Sequence, residues 1–264
     1  MDDGALIGGM ANAGAVVRRG AVVERPAPPN ARAIHAHLQA LADNGFDAAP
    51  IPLRISPMGR EELTFIPGNV ALAPYPAWAL TETAVRSVGA LLRRLHDASA
   101  DIPLDPSAGW ASDLADPQGG TLLCHNDVCV ENVIFRDGRA AAVIDFDLAA
   151  PGRPVWDVAM AARYWVPMLD PESAAVSGRD QLDTMKRLRV LADGYGLAPQ
   201  DRVDLPAVIE QATEVARSFV ATRVAGGDTT FTLALAEHGG WERWDRIQAW
   251  MAAHRDAFAR ALLA

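Results

Sequence analysis

The rhythm of apolar positions changes once along the 264 residues. Up to about residue 67 apolar residues come in short runs, Ala15–Val17, Ala21–Val23, Pro50–Leu53 and Glu62–Ile66, set off by Gly, Pro and charged residues, which predicts short strands. A-R-A-I-H-A-H-L-Q-A-L-A-D (Ala31–Asp43) breaks this run of strands as a helix stopped by Gly45, and Pro57–Arg60 makes a turn. Beyond residue 67 the helical period dominates. Val85, Val88, Leu91, Leu92 and Leu95 recur at three- and four-residue intervals within 81–98. Residues 99–120, rich in Asp, Pro, Gly and Ser, read as a loop. Helices are expected at about 157–167, 179–194, 206–225 and 241–263, with breaks at Gly194–Gly196 and Gly226–Gly227.

One segment departs from both rhythms. Between the apolar strand Thr121–Leu123 and Phe146 the chain reads L-C-H-N-D-V-C-V-E-N-V-I-F, then R-D-G-R-A-A-A-V, then I-D-F. Asp127, Asn132 and Asp145 are the residue types that phosphoryl transfer needs: one carboxylate to orient a hydroxyl, a carboxamide and a second carboxylate to hold Mg²⁺. Arg136–Arg139 predicts a hairpin turn between Asn132–Phe135 and Ala140–Ile144. If the turn is symmetric, Val143 pairs with Asn132 and Asp145 with Val130. Asn132 and Asp145 then share a face across a diagonal of roughly 7–8 Å. Val133, Phe135, Ala142 and Ile144 take the other face, toward a core.

The H-[GN]-D-x-x-x-x-N plus I-D-[FW] pattern resembles the aminoglycoside phosphotransferase-like kinases, relatives of choline and homoserine kinases. G-R-P-V-W-D-V-A (Gly152 to Ala159) is similar to that family's G-x-P-x-x-D-[LV]-A segment, and L-L-R-R-L-H (Leu91 to His96) to its helix end. The resemblance covers essentially the whole chain, although only 123–159 is specific. It implies an α+β, protein-kinase-like two-lobe fold: a small β-rich N-lobe (1–67) with one main helix, and a larger, mostly helical C-lobe (68–264). It also implies an enzyme that uses ATP and Mg²⁺ to phosphorylate a hydroxyl of a small molecule. In that carry-over Asp127 resembles the catalytic base and Asn132 and Asp145 the metal ligands. His125 and Asp157 support the catalytic loop, and Thr64–Gly68 looks like the interlobe hinge, where backbone groups of Thr64 and Ile66 meet adenine. Asp147 either aids a second metal or, the favoured alternative, caps the next turn.

The chain departs from the pattern at its lysine. Lys186 is the single lysine, lies in the expected 179–194 helix, and follows no glycine turn, which excludes a Walker-A loop. Kinases of this fold usually hold the ATP phosphates with a lysine on the third strand. Here Arg25 is the substitute, with His35 and His37 at the positions of the usual helical glutamate. Gly8 and Gly9, in G-G-M-A-N-A-G, form either a turn over the phosphates or a plain hairpin turn.

Composition narrows the partners. A formal charge of -9 and a pI near 5.1 argue against a nucleic-acid surface and are compatible with a cationic acceptor such as an aminoglycoside, the bland alternative being solubility. Other alcohols, sugars or amino alcohols fit the same chemistry, as does a non-catalytic kinase-like module that binds nucleotide for regulation. Acceptor choice falls to the helices after Asp157, where Trp156, Trp165, Asp170, Glu172, Asp180 and Asp183 are candidates. No apolar run reaches a membrane span, and the start has neither a basic n-region nor a long h-region, so cytoplasm is the default. Cys124 reads as a buried small hydrophobe and Cys129 as a partly exposed loop residue, with no disulfide between them. Trp241, Trp244, Trp250 and Phe258 read as core.

Overall fold

The computed structural model describes residues 4–6, 15–105 and 107–264. Gly8 and Gly9 lie outside the described residues.

Strands β1 (Gly4–Ala5), β2 (Val17–Arg19), β3 (Val22–Pro26), β4 (Pro52–Ile55) and β5 (Arg60–Thr64) form an antiparallel sheet in the order β1-β2-β3-β5-β4. β3 and β5 pair so that Arg25 stands opposite Glu61. Between β3 and β4 runs α1 (Ala31–Asp43), which buries Ala31, Ile34, His37, Leu38 and Leu41. Its end is closed as expected: Phe46 N–H reaches Leu41 O and Gly45 takes φ +79°.

A connector then crosses to the second part of the molecule and is pinned by Asn69, which exchanges backbone hydrogen bonds with Phe135. Gly68 makes this approach feasible, since a Cβ there would lie 2.4 Å from Ile134 Cγ2 and 2.7 Å from Phe135 O. Helix α2 (Glu82–Ser99), capped by the Thr81 side chain at Ala84 N–H, packs along α5 (Thr184–Tyr195). β6 (Leu122–Cys124) pairs with β9 (Ala150–Gly152), and β7 (Val133–Arg136) with β8 (Arg139–Val143). Helices α3 (Pro154–Trp165), α6 (Pro199–Ala225) and α8 (Gly240–Leu263) form the helical body, with α4 (Pro171–Val176) and α7 (Thr229–Glu237) between them. One buried apolar cluster runs from Leu38 of α1 to Leu262 of α8.

Several expectations need correcting. The β7–β8 turn is the two-residue Asp137–Gly138, both at positive φ, but an irregularity after Ile134 shifts the register. Val143 therefore pairs with Val133, not Asn132, and Ile144 N–H meets Asn132 O. Both faces of the hairpin are buried, since Val133, Ile134 and Phe135 are all in the core, so alternation does not sort them. Helix α5 starts at Thr184 rather than near 179, because Asp183 caps it at Lys186 N–H. Helix α6 begins at Pro199 and carries Pro206 in its interior. Cys129 is buried, at 8% exposure. Of the aromatic group only Phe258 is fully buried; Trp244 and Trp250 pack partly on the core, and Trp241 lies under the Arg217 guanidinium instead.

Candidate active site

The His125–Asp127 segment is held from behind by one buried side chain. Asp157, near the start of α3, accepts hydrogen bonds from the backbone N–H groups of His125 and Asn126, each at 2.8 Å, and from His96 Nε2 at 3.0 Å. His96 in turn meets the Tyr195 hydroxyl at 2.9 Å. Burial alone would raise the Asp157 carboxyl; the His96 bond and charge, with the backbone donors, hold it below the usual range instead. His125 Nδ1 accepts from Asp127 N–H, so its Nε2 carries the proton and donates to Ile144 O at 3.0 Å. His125 thus ties the Asp127 loop to the strand leading into Asp145.

Asp127 lies at the open side of this frame. Its Oδ2 accepts from Asn132 Nδ2 at 3.0 Å and its Oδ1 faces the Tyr164 hydroxyl at 3.3 Å. Burial raises its carboxyl above the usual range; His125 opposes this and Asp145 adds to it. Asn132 also donates to the Asp127 carbonyl, which turns its own Oδ1 away from Asp127. Asn126 and Asp145 both adopt the left-handed region, φ +65° and +67°, which short polar residues tolerate and which bends the chain out of the strand pattern.

A cation closes the other side. Arg25, 6% exposed on β3, donates from Nε to Glu61 at 2.7 Å, from Nη1 to Asp145 at 2.8 Å and from Nη2 to Asp147 at 2.5 Å. The second oxygen of Glu61 meets His35 Nε2 of α1 at 2.7 Å. Arg25 is therefore paired with a strand glutamate, and His35 reaches it only through Glu61. His37 points elsewhere, to Ser99 Oγ at 3.2 Å on α2. Asp147 joins the cation cluster and does not cap the following turn.

Three carboxylates around one guanidinium leave negative charge in excess. For Asp145, burial pulls upward but Arg25 prevails and its carboxyl lies below the usual range. Asp147 takes up the strain: burial and then the Asp145 charge push it up to about 7. The Asp145 and Asp147 side chains keep 29% and 24% of their surface, so this pair is open on one face. Hard oxygen donors with surplus negative charge, together with the free carbonyl oxygen of Asn132, fit a magnesium ion.

Of the two hinge residues, Thr64 has its N–H committed to Ile51 O, whereas the Ile66 backbone has no partner among the described residues. A cavity of about 350 Å³ borders the hinge between Phe46, Ile51 and Pro67, and none of Arg25, Asp127, Asn132 and Asp145 lines it. The residue missed from the sequence is Glu61. The signal was there: Leu63 is an inward strand residue, and period-two alternation puts Glu61, 1% exposed, on the same face.

The comparisons with known proteins agree with one another. A model of the phosphotransferase enzyme family matches residues 104–191. Over 258 residues the chain is 31% identical to the trifolitoxin immunity protein of Rhizobium leguminosarum bv. trifolii, covering 94% of each. Among solved structures, a choline/ethanolamine kinase family protein from Mesorhizobium loti superposes with a TM-score of 0.63 at 18% identity, over 100% of this chain and 92% of that one. APH(2")-IIa superposes with TM-scores of 0.56 in its gentamicin complex, over 90% of both chains, and 0.52 in its streptomycin–ATP complex, over 90% of this chain and 93% of that one, both at 14% identity. The structural likeness carries the fold, and the end-to-end match carries the family. The chain belongs to the phosphotransferase enzyme family and has the protein-kinase-like fold shared by choline/ethanolamine kinase family proteins and aminoglycoside phosphotransferases.

Proposed function

We propose that this phosphotransferase is an ATP- and Mg²⁺-dependent kinase acting on a hydroxyl of a small molecule. Residues 1–67 serve as the nucleotide lobe and 68–264 as the catalytic and acceptor lobe. The observation that supports this best is a juxtaposition: Asn132 bonds Asp127, Ile144 next to Asp145 bonds both Asn132 O and His125, and Arg25 reaches Asp145 from the five-stranded sheet.

Asp127 aligns the acceptor hydroxyl and takes its proton late in the reaction. The hydroxyl oxygen forms the new bond to the γ-phosphorus, the bond from that phosphorus to the β–γ bridging oxygen breaks, and ADP leaves with the electron pair. Tyr164 and Asn132 fix the Asp127 carboxylate, so its orientation is set before substrate arrives. Arg25, backed by Glu61, offers phosphate oxygens the second N–H groups of Nη1 and Nη2 that its bonds to Asp145 and Asp147 leave over, and the Ile66 backbone, without a partner among the described residues, meets the base. Asn132 and Asp145 would hold Mg²⁺, which supplies neutralisation of phosphate charge when bound.

The test has two parts. Mg²⁺ with ATP should raise the melting temperature, and Asp145→Ala should remove most of the Mg²⁺-dependent part. Asp127→Asn should keep the nucleotide shift and lose about 10³-fold or more in acceptor-dependent ADP release. No shift at millimolar nucleotide and metal would sink the reading. A second reading has one observation in its favour: Arg25 already neutralises Asp145, as a metal-free nucleotide-binding module would need. Nucleotide shifts that ignore Mg²⁺, with no turnover, would select it.

A further inference from the structure

The side chains that would receive a cationic acceptor are engaged otherwise. Trp156 and Trp165 are buried, their indole N–H groups donating to Leu114 O and Val128 O. Asp170 caps α4 and faces Arg246 at 3.5 Å, Glu172 meets Arg246 at 3.0 Å, and Asp183 caps α5. Asp180 is exposed beside Gln181.

The arginines around the end of α3 are in the opposite state. Among the described residues, Arg163, Arg179, Arg187 and Arg243 form no ion pair with a carboxylate. Arg187 is structural, donating to Trp165 O and Leu80 O. Arg179 commits Nη1 to Tyr164 O at 3.0 Å and Nε to Ser177 Oγ at 3.2 Å, lies 5.0 Å over the Tyr75 ring, and keeps Nη2 free. Arg163 lies 5.2 Å over the Tyr164 ring, and among the described residues its guanidinium hydrogen-bonds only Met160 Sδ. The half-buried Arg243 guanidinium makes no hydrogen bond with the described residues.

Tyr164 connects this cluster to the catalytic carboxylate. Its hydroxyl faces Asp127 and its carbonyl holds Arg179, so about one tyrosine's length separates cluster from base. The arginines also crowd one another. Burial, then the Arg179 charge, lowers both Arg187, to about 10, and Arg243, while burial lowers Arg179 itself. Among the described residues no carboxylate comes within ion-pair distance of them; Asp170 acts on Arg243 and Glu82 on Arg187 only from farther off, and the α3 carbonyls offset only part of the cost of desolvating these cations. In a chain of net charge -9 this is a concentrated positive patch beside the loop that carries Asp127.

We propose that this patch anchors the acceptor: the substrate is an alcohol bearing an anionic group, a carboxylate or a phosphate, held by Arg179 and Arg243 with Arg163 at its flank, while its hydroxyl meets Asp127. Guanidinium forks bind both anions in the same two-pronged way. The proposal rests on the phosphotransfer reading above.

Two measurements keep the readings apart. Inorganic phosphate, titrated to 10–20 mM (about 10² times a sub-millimolar Kd) against chloride at constant ionic strength, should raise the melting temperature saturably. That rise should survive Arg25→Gln and fall by more than half in Arg243→Gln. In ADP-release assays glycerate and glycerol phosphate should outrun glycerol, choline and kanamycin. Arg243→Gln should cost the anionic acceptor about tenfold or more, chiefly in KM, and Arg243→Lys should restore part of it. A phosphate shift indifferent to Arg243→Gln, or turnover confined to cationic or neutral acceptors, overturns the proposal and leaves the kinase reading standing. Loss of every ATP and Mg²⁺ effect, with the Arg243-dependent phosphate shift intact, keeps the anion site and removes the kinase reading.

Discussion

The two halves of the site are built by different means. The half proposed to carry out catalysis, Leu122 to Asp157, is one stretch of chain folded onto itself, with Asp157 gripping His125 and Asn126, and His125 gripping Ile144. The half proposed to clamp phosphate gathers Arg25, Glu61 and His35, which meet because β3 pairs with β5 and α1 docks alongside, against Asp145 and Asp147 of the first stretch. A locally encoded frame keeps its geometry as long as its own segment is folded. A gathered one depends on every element that contributes to it. Perturbations at the two halves should therefore separate loss of fold from loss of function.

The largest effect is expected at Asp157. Asp157→Ala removes a fully buried carboxylate and leaves two backbone N–H groups and His96 without their acceptor. About 3–5 kcal/mol of stability should go, read as a fall in the urea midpoint at unchanged slope. A loss under about 1 kcal/mol would mean that the catalytic half is not held from this point. Glu61→Gln is the matching test of the other half. It keeps the shape but removes the charge that orients Arg25 and His35. A fall of about a hundredfold in kcat/KM for ATP is expected, with the phosphate-dependent shift at Arg243 retained. Wild-type kinetics would show that Asp145 and Asp147 position Arg25 unaided.

The same contrast decides what could be read from the sequence. Asp127, Asn132 and Asp145 stand out in the sequence as residue types of phosphoryl transfer at close spacing, and His125 and Asp157 through the family resemblance; the structure places all five in one region. Their register was not legible: the irregularity after Ile134 and the positive φ of Asp145 are responses to packing on both faces of the hairpin, which alternation alone does not encode. Arg25 was found by elimination, as the cation available on the right strand. Its partner is expected on the helix, where the fold usually keeps it; alternation with Leu63 turns Glu61 inward, but that it meets Arg25 follows from strand pairing across 36 residues, a tertiary fact. The carboxylates after Asp157 are candidates for acceptor choice that sequence alone does not rank. The local rule that short polar residues cap helices, applied to Asp170 and Asp183, would have removed two of them.

The smallest effect concerns how α1 is docked. His35 and His37 lie two residues apart and face different partners, so one serves the clamp and the other the packing beneath it. His37 is 4% exposed, its Nδ1 has no partner, and burial lowers its pKa from the ordinary 6.5 to about 4. The folded protein then binds fewer protons than the unfolded chain between those values, so stability is full above pH 6.5 and falls as pH drops toward 4. From pH 7 to 5.5 this group alone should cost roughly 1–1.5 kcal/mol. His37→Gln, which does not titrate, should flatten that part of the melting-temperature profile relative to wild type. Nucleotide-dependent stabilisation, which needs α1 in place, should weaken over the same window in the wild type and hold in the variant. Equal pH profiles for the two proteins would show that α1 stays docked with His37 charged, and that the clamp is less dependent on its supporting helix than the comparison implies.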